Sequence, residues 1–483
     1  MECNFRFARI AWTALLALIL LPLAHASAQS TSADQVDLAA LQSRFQFIAD
    51  RVSPAVVAIS ASTTPDLSPD ALRSEEMNPQ KLDAFLAKTT RIIGTGCIIT
   101  TDGYILTNDH VIDDAQQLWI TTDDKKVYPA LVIGTDPRAD LAVLKIPAHD
   151  LGVVHFGDAS HLKRGQWSIA VGNPLGLSGQ GQMSLSVGVI SATNRSLQKL
   201  SDRENRLYLN LIQTTAQINP GNSGGPLFDL NGDVIGVNTA VIMPQKTTNG
   251  IGFALPIDAH LLSIVQNLKQ GREIVYAYLG VIVDNPTDRQ LHDAQLSDEI
   301  GARVASVEPN SPAVGQLQEN DLILAIDGQT ISDANNFVQV VGSAPVTRAV
   351  PIALIRDGKR RDITIALGKR PMPVAAVTRE NQRLRWGGML LGPLPADYIP
   401  TVSGTATGVM VFGIDPASPF AKQGIQPGTV IRSVAGKAVT DMTQLQSIIN
   451  DVPLEHCDIA VADNPQGEND AAHTANAMLP MEH

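Results

Sequence analysis

The sequence predicts a mainly β chain in which a double β-barrel is followed by two smaller domains of one type. Two observations lead to this fold class. From about residue 91 to Pro256, many short apolar segments are separated by Gly and Asp-Gly turns, a pattern typical of all-β barrels. Farther along, Gly301–Val341 matches Gly408–Ile449 with one gap. A solenoid would need shorter and more numerous units, so two copies indicate a pair of small domains.

Periodicity and composition suggest where these domains begin and end. Apolar residues recur at three- and four-residue steps over residues 35–52, which predicts a helix before the first strand. A second helix, Asp258–Lys269, is expected to close the barrel domain. The predicted boundaries are 29–272 for the barrel domain with a long mobile loop at 62–90, 277–368 and 386–483 for the two repeat units, and 369–385 for a basic linker between them.

Residues 1–28 have the features of a secretory signal peptide. Arg6 and Arg9 precede an apolar run from Ile10 to Leu23, and Ala26-Ser27-Ala28 provides a small-x-small cleavage pattern. The run is short for a membrane span. We therefore expect it to be cleaved and the mature protein to be soluble; a retained N-terminal anchor is the alternative.

Composition argues against several other classes of protein. The formal net charge of −12 disfavours a nucleic-acid binder, which would carry a basic stripe. After cleavage only Cys97 and Cys457 remain, too few for a disulfide framework. The six-residue spacings of His149, His155 and His161 match neither the His-x-x-x-His pattern of a helix nor a Cys/His finger. No metal or other cofactor is expected.

A short segment, Gly221-Asn222-Ser223-Gly224-Gly225-Pro226, has the composition of a nucleophile turn. Small residues allow the backbone to turn tightly and to direct N–H groups toward one point, as an oxyanion hole requires. A serine is a weak nucleophile by itself and needs a base with an orienting acid. The sequence therefore has to provide both elsewhere in the chain.

His110 and Asp140 are the candidates for that base and acid. His110 follows the apolar strand predicted at Gly103–Leu106, and Asp140 precedes the apolar strand beginning at Leu141. Asp136, Asp113 and Asp114 compete for the acid role, although they lie in Asp-Pro or Asp-Asp loop contexts. The order His, Asp, Ser is that of the chymotrypsin-like double barrel and differs from the subtilisin and α/β-hydrolase orders.

These motifs together resemble the HtrA/Deg family of trypsin-like serine endoproteases with C-terminal PDZ domains. The matching strings are Val52–Val57, Thr107–Val111, Ala139–Lys145, Ala170–Pro174, Asn219–Pro226, Val234–Thr239 and Gly250–Pro256. The resemblance implies a catalytic triad of His110, Asp140 and Ser223, with an oxyanion hole at Gly221, Asn222 and Ser223. It further implies ATP-independent degradation of misfolded or damaged envelope proteins in the periplasm, by a homotrimer or higher oligomer formed near Phe45 and Phe47.

The same resemblance predicts the specificity pocket. Gln217 would form its floor, and Asn238, Thr239 and Ala240 its wall. A neutral floor cannot pair with Arg or Lys, so cleavage after small aliphatic residues is expected. Two positions depart from the family pattern, because Asp109 replaces a more usual Asn and Thr215 a more usual Asp.

The repeat units resemble PDZ domains, which are α+β modules that bind C-terminal peptides. In the first unit, Tyr278, Leu279, Gly280 and Val281 would form the loop that binds the peptide carboxylate, and the helix predicted at Asp333–Val341 would wall the groove. In the second unit, Trp386–Met389 is the corresponding segment. Thr429 replaces the expected acid and the tail lacks a convincing final strand, so peptide binding there is not expected.

Two functions of other classes remain as alternatives. The first is a periplasmic chaperone or peptide-sensing scaffold with minor proteolysis, which a complete triad disfavours because a scaffold does not need one. The second is a secreted esterase, disfavoured by the chymotrypsin order of the triad.

Overall fold

The computed structural model describes the part of the chain from Leu38 to Ala477, with gaps. The predicted signal peptide, most of the loop predicted at 62–90, Ala240, and most of the linker predicted at 369–385 lie outside the described residues. Within these residues, no helix is both long and apolar enough to cross a membrane. The described ranges are 38–62, 90–113, 115, 117–173, 183–197, 206–239, 251–296, 300–346, 348–370, 383–394, 407–451, 457–462 and 473–477.

The first barrel is a closed six-stranded sheet in the order β1-β2-β3-β6-β5-β4. One of the Asp-Gly turns noted in the sequence, Asp102-Gly103, forms a hairpin in this barrel, where Cys97 pairs with Leu106 and Gly103 has a φ of +94°. Helix α1 lies within the predicted N-terminal helix. The elements are α1 Leu38–Val52, a 3₁₀ turn Ser53–Ala55, β1 Val56–Ser62, β2 Thr90–Ile98, β3 Tyr104–Thr107, α2 Asp109–Ile112, β4 Gln117–Thr121, β5 Val127–Asp136 and β6 Leu141–Lys145.

The second barrel has seven strands in the order β11-β8-β9-β10-β13-β12-β7, and an added β11–β12 pairing closes it. The predicted closing helix is present as α3, and the Asp258 side chain caps it by accepting from Leu261 N at 2.8 Å. The elements are β7 His155–Phe156, a 3₁₀ turn Ala159–His161, β8 Trp167–Gly172, β9 Ser184–Arg195, β10 Leu211–Thr214, β11 Pro226–Phe228, β12 Asp233–Thr239, β13 Gly252–Pro256 and α3 Ala259–Lys269.

The first repeat unit is a small α+β domain. Its main sheet has the order β15-β16-β17-β19-β20, and Asp333 caps helix α5 through Asn336 N. The elements are β14 Ala277–Tyr278, β15 Val281–Asp284, α4 Asp288–Asp293, β16 Ala302–Val307, β17 Leu322–Ile326, β18 Gln329–Thr330, α5 Ala334–Ser343, β19 Ala349–Arg356, β20 Lys359–Ala366 and β21 Gly368–Lys369.

The second repeat unit has the same plan and its own buried apolar core. The order of its sheet is β22-β23-β24-β25-β27-β28. The elements are β22 Leu384–Trp386, β23 Met389–Pro393, β24 Val409–Ile414, α6 Pro419–Lys422, β25 Val430–Val434, β26 Lys437–Ala438, α7 Met442–Asp451, β27 Cys457–Ala462 and β28 His473–Ala477.

The expectation that this unit lacks a convincing final strand is wrong. Strand β27 pairs with β25, Ile431 lying opposite Val461, and β28 pairs with β27. The tail is rich in Asn, Asp, Ala and His, which have low or indifferent strand propensity. Pairing with a neighbouring strand outweighs that local preference.

Candidate active site

Ser223 lies in a tight turn between strands β10 and β11, and backbone hydrogen bonds hold this turn. Gly224 N donates to Asn238 O at 2.8 Å, and Gly225 N donates to Asn222 O at 3.0 Å. Gly221 and Gly224 have φ values of +102° and +79°, which favour glycine. A Cβ at Gly224 would also lie 2.0 Å from Thr107 Oγ1, so no larger residue fits there.

The backbone N–H of Asn222, one of the three predicted oxyanion residues, has a partner within the turn. The N–H of Asn222 donates to the carbonyl of Asn219 at 2.9 Å, so it does not face an oxyanion. The prediction is therefore corrected for Asn222. The N–H groups of Gly221 and Ser223 remain the candidate donors.

Thr95, which sequence reasoning missed, secures this turn from strand β2. Its Oγ1 donates to Gly221 O at 2.6 Å, and its N–H donates to Ser223 O at 2.9 Å. Fixed peptide planes are what a preorganised oxyanion hole needs. No local pattern marks Thr95, because its partners lie on another barrel and far along the chain.

His110 and Asp140 are in direct contact. His110 Nδ1 lies 2.8 Å from Oδ2 and 2.9 Å from Oδ1 of Asp140, and Oδ1 also accepts from His110 N at 3.0 Å. The Asp140 side chain is fully buried, whereas that of His110 is 25% exposed. The helix α2 that carries His110 follows directly after strand β3, so a short helical turn presents the imidazole instead of the strand end itself.

Three further side chains approach the Asp140 carboxylate. Tyr208 OH donates to Oδ2 at 3.0 Å and Thr239 Oγ1 donates to it at 3.3 Å, while Arg206 Nε lies 3.5 Å from Oδ1. Burial, followed by the charge of Asp140, raises the pKa of Tyr208 above its usual value, so its hydroxyl stays a donor. Neither Tyr208 nor Arg206 was predicted, since nothing in the local sequence shows which strand they face.

The competing acids have other partners. Asp136 is buried and accepts from Tyr276 OH at 2.5 Å and from Arg138 N at 3.1 Å. Asp113 lies 3.7 Å from Arg206 in an ion pair. Asp114 lies outside the described residues. Asp140 is thus the acid that the structure places against His110.

The segments that carry Ser223 and His110 pack against each other. A Cβ added at Gly94 would meet both Val111 Cγ1 at 2.6 Å and Ser223 O at 3.0 Å. Because Gly94 has no side chain, both Val111, the residue after His110, and the Ser223 turn can pack closely against it. The segment that carries His110, from the first barrel, thus packs against the Ser223 turn, from the second barrel.

The residues predicted to form the specificity pocket differ in solvent exposure. Gln217 is exposed, and its N–H donates to Ser186 Oγ at 2.8 Å. Asn238 and Thr239 are buried, and their side chains donate to Pro226 O and Asp140 Oδ2. Their predicted role is therefore revised, because both side chains secure the site and do not form an open pocket wall.

The predicted carboxylate loop of the first repeat unit has a constrained glycine. Gly280 has a φ of +79°, and a Cβ there would lie 2.0 Å from Ser311 Cβ. Its carbonyl accepts from Glu308 N at 2.9 Å and from Ser311 Oγ at 3.1 Å. Leu279 is buried, Val281 begins β15, and Tyr278 OH hydrogen-bonds to Glu308.

Comparisons with known proteins agree with this geometry. Residues 94–237 match the trypsin-like peptidase domain and residues 277–367 the PDZ domain. A "probable periplasmic serine endoprotease DegP-like" of Marinomonas sp. (strain MWYL1) is 34% identical over 428 residues, which cover 85% of this chain and 88% of that protein. The protein of that name from Chlamydia pneumoniae is 35% identical over 384 residues, covering 79% of this chain and 74% of its own length.

Solved structures of the HtrA-type protease AlgW are also similar. The structure with a tripeptide has 32% identity and a TM-score of 0.57, and covers 68% of this chain and 98% of that one. The structure with a decapeptide has 30% identity and a TM-score of 0.55, and covers 68% of this chain and 99% of that one. With these relatives and these two domain matches, the chain belongs to the HtrA/DegP family of periplasmic serine endoproteases.

Proposed function

We propose that Ser223 is the nucleophile, His110 the general base and Asp140 the residue that orients it. The contact between His110 Nδ1 and the buried Asp140 carboxylate, at 2.8 Å, carries this proposal. With Nδ1 donating to the carboxylate, Nε2 of the neutral imidazole is the acceptor for the serine proton. The buried carboxylate then stabilises the imidazolium that forms.

The N–H groups of Gly221 and Ser223 are the proposed oxyanion donors. The peptide that carries the Ser223 N–H is held through its carbonyl, Asn222 O, which accepts from Gly225 N at 3.0 Å. Thr95 binds the carbonyl oxygens of Gly221 and Ser223 and so fixes the peptides that follow these two residues. Donors held in place before the reaction stabilise the developing negative charge without reorganising.

Casein degradation by purified variants tests the triad. Ser223→Ala and His110→Ala should each lower kcat by about 10⁴ to 10⁶, and the double variant should be little worse than either. Ser160→Ala, which changes an exposed serine away from the site, is the matched control and should keep full activity. A Ser223→Ala protein with more than about a tenth of normal activity would contradict the proposal.

The proposed substrates are misfolded or damaged envelope proteins, degraded without ATP, with C-terminal peptides bound at the first PDZ unit. The constrained Gly280 loop beside strand β15 supports peptide binding by strand addition. The chaperone alternative would need only the PDZ units, whereas the site described above contains an oriented base next to a nucleophile turn.

Cleavage after small aliphatic residues is proposed because Gln217 is neutral. Mass spectrometry of casein fragments should show Val, Ala, Ile or Thr enriched at P1. Dominant cleavage after Arg or Lys would contradict it, and aromatic P1 residues would indicate a deeper pocket.

A homotrimer or higher oligomer is proposed through the N-terminal helix. On α1, Leu38 is 73% and Phe47 52% exposed, and exposed large apolar side chains mark association surfaces. Light scattering should show that Phe47→Ser lowers the oligomeric mass. An unchanged mass would remove Phe47 from the interface.

A further inference from the structure

A cavity of about 80 Å³ lies between helix α3 of the peptidase domain and helix α5 of the first PDZ unit. Leu261 and Ile264 line it from α3, and Val338 and Gly342 line it from α5. Ala139 and Leu141, the two neighbours of Asp140, also lie on its wall. The cavity is separate from the peptide loop at Gly280 and from the catalytic serine turn, neither of which contributes to its lining.

One buried cation on the cavity wall lacks a hydrogen-bond acceptor. Arg138 is only 6% exposed, and its Nε has no hydrogen-bond partner. Its guanidinium lies 5.4 Å from the centre of the Tyr276 ring. Among the described residues, no carboxylate comes within ion-pair distance of it, and the nearby Asp136 accepts instead from Tyr276 OH and from backbone N–H groups.

The charge of Arg138 is therefore balanced only in part, by Asp136 beyond ion-pair distance. Burial, followed by the neighbouring Arg370, lowers the pKa of Arg138 to about 10, so the guanidinium is still charged at neutral pH. A buried cation without a counter-ion is costly, and an anion placed beside it would relieve that cost. Most of the remaining wall is aliphatic and favours an apolar body on the same ligand. The wall also includes His260 and Asp258, whose carboxylate accepts from Leu261 N at the start of α3, so the anionic end is expected on the Arg138 side.

We propose that this cavity is a binding site for a small aliphatic carboxylate, whose anionic end meets Arg138 and whose chain lies among the leucine, isoleucine and valine side chains. Because one water molecule needs only about 10–15 Å³ of such a cavity volume, the space of about 80 Å³ is large enough for a short aliphatic chain. The proposal does not depend on the assignment of the catalytic residues, because its test measures binding alone.

Titration of the full-length Ser223→Ala protein with butyrate and with butyramide tests the site by ligand-observed NMR. The two probes have nearly the same size, but only butyrate is charged. We expect butyrate to bind at least about tenfold more tightly, because charge-assisted hydrogen bonds are the stronger ones. Arg138→Met should remove this difference, whereas Arg360→Met, an exposed arginine on β20, should retain it.

A second variant tests the cavity without removing the charge. A Cβ at Gly342 would lie 3.5 Å from Tyr276 Cδ1, an ordinary contact, so Gly342→Ala should fold and occupy part of the space. Gly342→Ala should lower the binding affinity of both probes severalfold. Its melting temperature should be no lower than that of the parent protein. The proposal fails if butyrate shows no saturable binding, if the two probes bind equally, or if butyrate affinity is unchanged in both Arg138→Met and Gly342→Ala.

Discussion

The two PDZ units share a loop geometry but differ in how each attaches to the peptidase domain. Gly280 and Gly388 have φ values of +79° and +78°, and in each unit a serine, Ser311 or Ser418, donates its hydroxyl to a carbonyl of the loop. The second unit therefore retains the geometry of this loop, although Thr429 and its tail argued against peptide binding there. The shape of this loop thus depends on one glycine with positive φ and one serine hydroxyl, and it is kept although the two units differ at other positions of their sequences.

Their attachments lie at different places. The first unit contacts the peptidase through Tyr276, whose hydroxyl donates to Asp136, four residues before the proposed catalytic acid. The second unit contacts the first barrel through Lys145, whose Nζ donates to Phe412 O at 2.7 Å and to Ile146 O at 2.8 Å. Related domains can thus be coupled to one enzyme in different ways, the first at the end of strand β5 and the second at the end of strand β6.

The largest expected effect concerns the peptide loops. Gly280→Val places a side chain where a Cβ would lie 2.0 Å from Ser311 Cβ and where φ is positive. It should abolish binding of a hydrophobic C-terminal peptide, measured by calorimetry, while small substrates are still cleaved. Amidation of the peptide should weaken binding to the parent by about 1.5–3 kcal/mol.

The equivalent change in the second unit sharpens the comparison. A Cβ at Gly388 would lie 2.8 Å from Ser418 Cβ, so Gly388→Val should disturb that loop as well. If only Gly280→Val reduces binding, the first unit alone captures peptides. Equal losses of peptide affinity in the two variants would show that both units bind peptides. That result would contradict the prediction, made from Thr429, that the second unit does not bind them.

A second prediction compares the positions of Asp321 and Thr429. Asp321 is buried and pairs with both Arg356 Nε and Nη2 at 2.6 Å, and it accepts from Gln318 N at 2.8 Å. Asp321→Ala should cost about 1.5–3 kcal/mol of unfolding free energy, because Arg356 loses its charge-assisted hydrogen bonds to a buried carboxylate and keeps the one from Nη2 to Gln316 O.

Thr429 makes only the equivalent backbone bond, accepting from Gln426 N at 3.3 Å. Thr429→Ala should therefore cost about 0.5–1.5 kcal/mol. Denaturant titration of both variants gives the two values. Equal costs would show that the ion pair of the first unit adds nothing to its stability.

A third prediction concerns the attachment of the second unit. Burial lowers the pKa of Lys145 to about 8. The unfolded chain, in which lysine has a pKa of about 10.4, binds more protons between these two values. The free energy of unfolding should therefore rise with pH from about 8 to about 10.4, by up to about 3 kcal/mol from this group.

Denaturant titrations at several pH values measure this slope. Lys145→Met, which fills similar space without a charge, should flatten it, while the exposed Lys359→Met should leave it unchanged. A slope that persists in Lys145→Met would assign the pH dependence to other groups.

The last prediction concerns the attachment of the first unit. Tyr276→Phe removes one of the donors to the buried Asp136 carboxylate and should cost about 1–3 kcal/mol of stability. Because Asp136 begins the turn that leads to Asp140, kcat should fall severalfold while peptide binding is unchanged. Activity equal to that of the parent would show that this contact is structural only.

Much of the fold and of the site could be predicted from local patterns. The hairpin at Asp102-Gly103, the caps Asp258 and Asp333, and the glycine-rich serine turn each depend on residues close together in the chain, so their signals survive in the sequence. The placement of Asp140 against His110 followed from motif order, and the structure excludes Asp136 because Tyr276 and nearby N–H groups occupy its carboxylate.

The sequence by itself determined the fold class, the repeat and the family, because turn chemistry, residue order and motif spacing are local and directly readable. Only the tertiary structure decided that Thr95 holds the serine turn, that Tyr208 and Arg206 approach Asp140, and that the second unit ends in paired strands. It also decided that Arg138 is buried beside a cavity without an acceptor for its Nε. These features depend on contacts between residues far apart in the chain, and a side chain's partner across such distances is set by packing, which no local pattern encodes.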